Sequence, residues 1–422
     1  MTPSPLTALL AAALVAALAA ALLAGCAEPR FFTEENPPRL SDWKLFRQDG
    51  PRLLPSEQSL VFAPVNPLFS DYAGKLRTMW LPAGGQARIE NGELAFPVGS
   101  VLSKTFYYPR GENGALLDAG AETAGDATEL DRRQHRVIET RLLARRDDGW
   151  HAMTYVWNDE QSEAFLRVAG ASVPVSLQRR DSLERGNSLE RKNSPERKNS
   201  PERKNSPERI NSNLEEFVYF VPNQNQCAGC HVTEHPDGPL RPLGAVPEQL
   251  AAALDTDPAI VTTMGHPPDS SQLQAMQARG WLAAAPAPPP AVAASWKDGS
   301  ASLEARAGAY LNIHCGHCHN REGAADTSAL VLDGGHRNPV ELGVCKSPVA
   351  AGGGAGELLF NIHPGKPEQS ILLYRMASAE PDEMMPELGR SLPHGEGIAL
   401  LRDWIAAMPG GCPEPARALG NG

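Results

Sequence analysis

Two five-residue stretches of this 422-residue chain repeat one spacing: Cys227-Ala228-Gly229-Cys230-His231 and Cys315-Gly316-His317-Cys318-His319. Thiols three positions apart lie on one helical turn. Each can add to a vinyl group of the same porphyrin, and the histidine that follows can swing beneath the ring to ligate its iron. This is the attachment pattern of a c-type haem. Occurring twice, it predicts two covalently attached c-type haems, one on Cys227 and Cys230 and one on Cys315 and Cys318, with His231 and His319 as iron ligands. A chain with two such sites must fold, at least in part, as haem-binding segments.

Two other chemistries use paired cysteines. Four thiolates can hold zinc, but 84 residues (231 to 314) separate the pairs here, far from ribbon spacing, and zinc gives no reason for a histidine after each pair. The run "CGHC" alone is also a disulfide-isomerase dithiol. That motif opens a long helix after a strand, whereas here a helical pattern leads in and "NREGAAD" trails out.

The second haem needs a ligand on its other side, and methionine in that position raises the potential of an electron carrier. The stretch "DEMMPELGR" at 382–390 places two methionines before a proline, between the second motif and a C-terminal helical pattern. Met385 is the expected ligand and Met384 the packing neighbour. His363 and His394 compete for the role, and both are expected on the surface. The first haem has no such loop. His235, Met264, His266 and Met276 follow its motif, and the preceding β-like segment offers His135, His151 and Met153. Met276, in helical spacing with Leu273, is expected in a core. His135 is the favoured candidate, because the strand "FVYFVP" runs straight into Cys227, and an open sixth position is the alternative.

The ends and the composition set the compartment. An Ala/Leu run closing on Leu23, Ala24, Gly25 and Cys26 reads as an export signal over residues 1–25. Small residues before a cysteine resemble the lipobox of bacterial lipoproteins, which makes Cys26 the lipidated N-terminus and anchors the chain to a membrane. The expected location is the bacterial cell envelope, on the periplasmic side, at the outer membrane. Seven cysteines then divide into one anchor, two haem pairs, and Cys345 with Cys412, which an oxidising compartment allows to pair. Two unlinked thiols are the alternative for that last pair. A formal charge of −11 argues against nucleic acid as a partner.

Along the chain, residues 38–225 alternate short β-like runs with turns and predict an all-β, sandwich-like domain. "VLSKTFYYP" reads as a strand, and "HRVIETRLLA" with "WHAMTYVW" as a hairpin turning at Asp148-Gly149. Within this domain, the six-residue repeat K-N-S-P-E-R at 181–212 has no apolar residue to bury and is expected to be a disordered insert. A first haem segment at 226–285 and a Pro/Ala linker at 286–300 follow, then a class I cytochrome c-like domain at 301–412. In that domain Ala307, Tyr310 and Leu311 on one helix can meet Ile398, Leu401 and Ile405 on another. The fold class expected is α+β.

As a whole the chain resembles a family of exported di-haem c-type cytochromes of unknown physiological role. The resemblance is carried by "NPLFSDYAGKLRTMWLP", "FPVGSVLSKTFYYP", "YVWNDEQSEA", "VPNQNQCAGCH", "HCGHCHN", "ADTSALVLD", "GVCKSPVAAG", "PEQSILLYRM" and "MMPELGRSL". It implies bound haem and electron transfer, and supplies no substrate. Two functions follow as expectations: an electron carrier between redox partner proteins, or a di-haem peroxidase-like enzyme with one open haem.

Overall fold

The alternating segment forms strands β1 (Phe46–Asp49), β2 (Arg52–Pro55), β3 (Leu60–Val61), β4 (Gly74–Trp80), β5 (Arg88–Glu90), β6 (Glu93–Ala95) and β7 (Val101–Pro109). It continues through β8 (Leu116–Leu117), β9 (Leu130–Asp131), β10 (His135–Arg146), β11 (Gly149–Trp157), β12 (Ala164–Leu166), β13 (Ala171–Gln178) and β14 (Leu214–Val221). Helices α1 (Gln224–His231), α2 (Pro247–Leu250), α3 (Gln272–Ala278), α4 (Leu303–Leu311), α5 (Pro339–Leu342), α6 (Ile371–Ala377) and α7 (Gly395–Ala407) follow, so the fold is α+β. This computed structural model describes residues 28–112, 114–119, 128–179, 214–253, 270–283, 290–334, 338–349 and 352–413. Cys26 and the export segment, the 181–212 repeat, Met264, His266 and the first part of the Pro/Ala linker lie outside the described residues.

The central sheet is six-stranded and antiparallel, in the order β12-β11-β10-β7-β4-β3. Every residue of β4 is buried. One face packs Leu76, Tyr107, Leu142 and Tyr155 against Trp43, Leu53 of β2 and Leu130 of β9. The other face is apolar at both ends. Phe106 and Tyr108 meet Val175, Leu177 and Tyr219 of β13 and β14 at one end, and Met79 and Leu102 meet Leu250, Leu273 and Met276 at the other. Small sheets on either face make the arrangement sandwich-like.

The β10–β11 hairpin pairs Arg146 with Gly149, so Asp147 and Asp148 form its two-residue turn and Gly149 opens β11. The turn therefore falls one residue earlier than the Asp-Gly signal suggests.

In the C-terminal lobe, Ala307, Tyr310 and Leu311 of α4 join Ile398, Leu401 and Ile405 of α7 in one core with Leu373 and Trp404. The helices approach closely because Gly397 has no side chain: a Cβ there would fall 2.2 Å from Tyr310 Oη. Gly397→Ala should therefore lower stability by about 1–3 kcal/mol through overpacking, even though alanine is the better helix former. A chemical-unfolding midpoint that rises instead would show that Tyr310 can yield. Cys345 and Cys412 are joined in a disulfide with Cα atoms 5.2 Å apart, tying the chain after α5 to the chain beyond α7.

The loop between β3 and β4 fastens the two lobes together. Asp71 Oδ1 accepts the backbone N–H groups of Ser391 at 2.7 Å and Leu392 at 2.8 Å, and Tyr72 Oη accepts that of Gly395 at 2.9 Å. Asp71 and Tyr72 both adopt left-handed φ (47° and 59°), a conformation non-glycine residues rarely hold without such anchoring. The Pro/Ala linker is also fastened: Asn66 Nδ2 donates to Ala294 O at 2.8 Å, and Trp296 is buried in the C-terminal core.

Candidate functional site

Strand β14 delivers the first motif directly. At its end Asn223 caps α1, accepting from Gln226 N at 2.8 Å while Gln226 Oε1 accepts from Asn223 N at 2.9 Å. Cys227, Cys230 and His231 thus lie on one short helix, Cys227 buried. The second motif follows α4 through a π-helical turn, Asn312–Gly316, that carries His314 and Cys315. Cys318 and His319 lie in the turn after it.

Both motif histidines are held the same way. His231 Nδ1 is 2.7 Å from the Arg241 carbonyl, so it donates and leaves Nε2 as the acceptor. His319 Nδ1 is 3.0 Å from Ser328 Oγ, whose own proton goes to the Ala325 carbonyl at 2.6 Å, so His319 Nδ1 also donates. Burial pushes both imidazoles down to about 4, which keeps them neutral. A neutral ring with Nδ1–H tied and Nε2 available is the form that ligates a metal.

The tertiary fold brings the two motifs into contact. Cys318 Sγ donates to the Gly229 carbonyl at 3.3 Å, and the ligand atoms of Cys230, His317 and Cys318 all lie within 4.8 Å of one another. Beside them a cleft of about 1550 Å³, measured out to open solvent, separates the central sheet from the C-terminal lobe. Cys227, Cys230 and His231 line one part of it, and Tyr310, His314, Met385 and His394 another.

Met385 lines this cleft, while Met384 is only 9% exposed and lies in the protein. Arg390 organises the loop. Its guanidinium donates to the carbonyls of Met385 (2.8 Å), Arg375 (3.1 Å) and Ser378 (3.0 Å), and its Nη1 is buried without a hydrogen-bond partner among the described residues.

The expectation that His363 and His394 are on the surface is wrong. Each is 9% exposed. His394 stacks on Phe69 at 4.2 Å, and its Nδ1 is 2.9 Å from Tyr310 Oη. The covering residue Phe69 comes from the β3–β4 loop of the other lobe, which no local pattern around His394 reveals. His363 packs edge-on against Phe360, and its N–H donates to Ser370 Oγ at 2.9 Å. His314, which sequence reasoning passed over, is buried at the cleft wall: Phe69 N donates to its Nε2 at 3.1 Å, and its Nδ1 donates to the Tyr310 carbonyl at 2.9 Å.

The candidate ligands of the first haem scatter. His135 stands against Tyr107 with Nδ1 3.0 Å from the Asp131 carbonyl, and it does not line the cleft that His231 lines. His151 pairs with Asp148 at 2.8 Å, His235 is exposed, and Met276 is in the core beneath β4. Met153 lines the cleft. So do three cations from the central sheet, Arg77, Lys104 and Arg141, which sequence reasoning left unassigned. Burial, then the neighbouring Arg141 and Arg77, push the Lys104 ammonium down to about 7. Arg141 is paired with Glu139 Oε2 at 2.9 Å, and Tyr219 Oη donates to the same carboxylate at 2.7 Å.

The donor set suits a c-type haem at each motif, with paired sulfurs three positions apart and a Nδ1-anchored histidine beside each pair, and the cleft adjoins the first motif, whose Cys227, Cys230 and His231 line it. It suits zinc poorly, since the Cys230–His317–Cys318 cluster would use part of each motif and leave His231 and His319 without a role. Comparison of the chain with protein-family models, with curated proteins and with solved structures finds no match in any of the three.

Proposed function

We propose that this chain is an exported di-haem c-type cytochrome, lipid-anchored on the periplasmic side of a bacterial outer membrane, that passes electrons between redox partner proteins. The observation that supports this most strongly is the contact between the two attachment motifs, with Cys230 and Cys318 in one cluster within 4.8 Å. Groups attached through neighbouring sulfurs must approach edge to edge, which favours electron exchange inside one chain. Bound haem supplies a one-electron iron couple. The chain's residues do the rest. His231 and His319 present neutral Nε2 atoms, and the Arg241 carbonyl and Ser328 orient their rings. In this reading the C-terminal lobe is class I cytochrome c-like, and Arg390 holds the Met385 loop at the cleft.

The test is the mass of protein matured with a cytochrome c assembly system. Two haems should be attached, on peptides containing Cys227/Cys230 and Cys315/Cys318, and the colour should survive a denaturing gel. Zinc in place of haem, or a single haem, would sink the reading.

A di-haem peroxidase-like enzyme is the second reading, favoured by the cations Arg77, Lys104 and Arg141 beside the cleft that His231 reaches. Rapid carbon monoxide binding to one of the two reduced haems, together with peroxide turnover in stopped flow, would select it over the carrier.

A further inference from the structure

The middle of the central sheet carries a charge pattern that folding alone disfavours. Arg77 on β4 is directly opposite Lys104 on β7, and Lys104 is directly opposite Arg141 on β10, so three cations stand abreast on neighbouring strands. Like charges directly opposite on a sheet are destabilising, and withdrawing them from water adds to the cost. Their heads share one face: Lys104 Nζ is 5.1 Å and Arg141 Cζ 4.6 Å from the Phe106 ring centre. The charges acting on Lys104 are Arg141 and Arg77 against the carboxylate of Glu139 and, more weakly, the sulfur of Cys230, and Glu139 is already engaged by Arg141 and Tyr219. The apolar residues that bracket the row, Phe106 towards one end of the face and Leu102 towards the other, are packed under sheet and helix. The row is left facing the cleft of Cys227, Cys230 and His231.

We propose that the Arg77–Lys104–Arg141 row is an anion-binding site in the cleft wall. It takes oxyanion groups, either the propionate carboxylates of the haem on Cys227 and Cys230 or a small free oxyanion. The inference rests on the haem reading above, since the site gains its ligand within that cleft. An anion there offsets the repulsion across three strands, so filling the cleft and closing the sheet support each other.

The experiment uses full-length, haem-loaded protein as wild type, Lys104→Met and Lys104→Arg, with haem on the Cys227/Cys230 peptide first verified by mass. If the row holds propionates, Lys104→Met should lower the reduction equilibrium constant of one haem about tenfold and shift a propionate-bending band in resonance Raman. Lys104→Arg should do neither, and added sulfate should have no effect. If the row holds a free oxyanion, sulfate should lower that haem's potential in wild type and not in Lys104→Met, while chloride at matched ionic strength does nothing. Either pattern supports the anion site. Two attached haems with no response of potential, Raman band or sulfate effect to Lys104→Met would overturn it and leave the haem reading intact. Absence of haem on Cys227 and Cys230 would overturn both.

Discussion

Glu139→Leu should lower the unfolding free energy by about 4 kcal/mol, the largest single-site loss expected in the β lobe. The carboxylate is fully buried and bonded to both Arg141 and Tyr219 Oη. Leucine matches its bulk but leaves the partly buried Arg141 guanidinium beside Lys104 with its carboxylate removed. Breaking one side of a buried pair costs far more than removing both, so the double substitution Glu139→Leu/Arg141→Met should recover most of the loss. Chemical-unfolding midpoints of the two variants decide the matter. A single-variant loss under about 1 kcal/mol would mean that water or another anion already screens Arg141.

Arg390→Met should cost about 3 kcal/mol and also change the second haem. The guanidinium is 5% exposed and satisfies three backbone carbonyls, those of Arg375, Ser378 and Met385. The carbonyls of Met385 and Ser378 lose this donor while that of Arg375 keeps the Met385 N–H, and an acceptor left without a donor carries a penalty of about 1–3 kcal/mol, partly relieved by relaxation. Freed of its clamp, the Met385 loop should present its thioether less firmly, and a methionine ligand is what raises the potential of a His-ligated haem. The expected result is a lower potential for one haem, a weakened near-infrared sulfur-to-iron band, and both haems still covalently attached. Met385→Ala should reproduce the spectral change without the same loss of stability. If Arg390→Met destabilises the fold while potential and band stay unchanged, Met385 is not the ligand.

Much of this was legible in the sequence where the governing physics is local. Thiol spacing and the following histidine are set within a few residues, so the haem-attachment reading proposed above for both motifs rests on local sequence alone. Strand β7 and the β10–β11 hairpin followed from alternation and turn residues, and the α4–α7 crossing from the apolar positions that its core contains. Asn223 and Gln226 form their capping box across three positions, again within reach of local reading.

What depended on distant chain segments was not legible. A register shift between Val137 and Glu139 moves Glu139 and Arg141 to the face opposite Val137, where strict alternation would not put them. One extra residue in a strand flips every side chain after it, so the row of Arg77, Lys104 and Arg141 exists only once β10 has paired with β7 and β7 with β4. His394 looked like a surface histidine because its cover, Phe69, belongs to another lobe. The meeting of Cys230 with Cys318 is of the same kind. The spacing of thiols and histidines within each motif was determined by the sequence by itself. Which of those sites touch, and which charges face them, was decided by the tertiary structure alone, because strand register and lobe docking are set by packing between residues far apart in the chain.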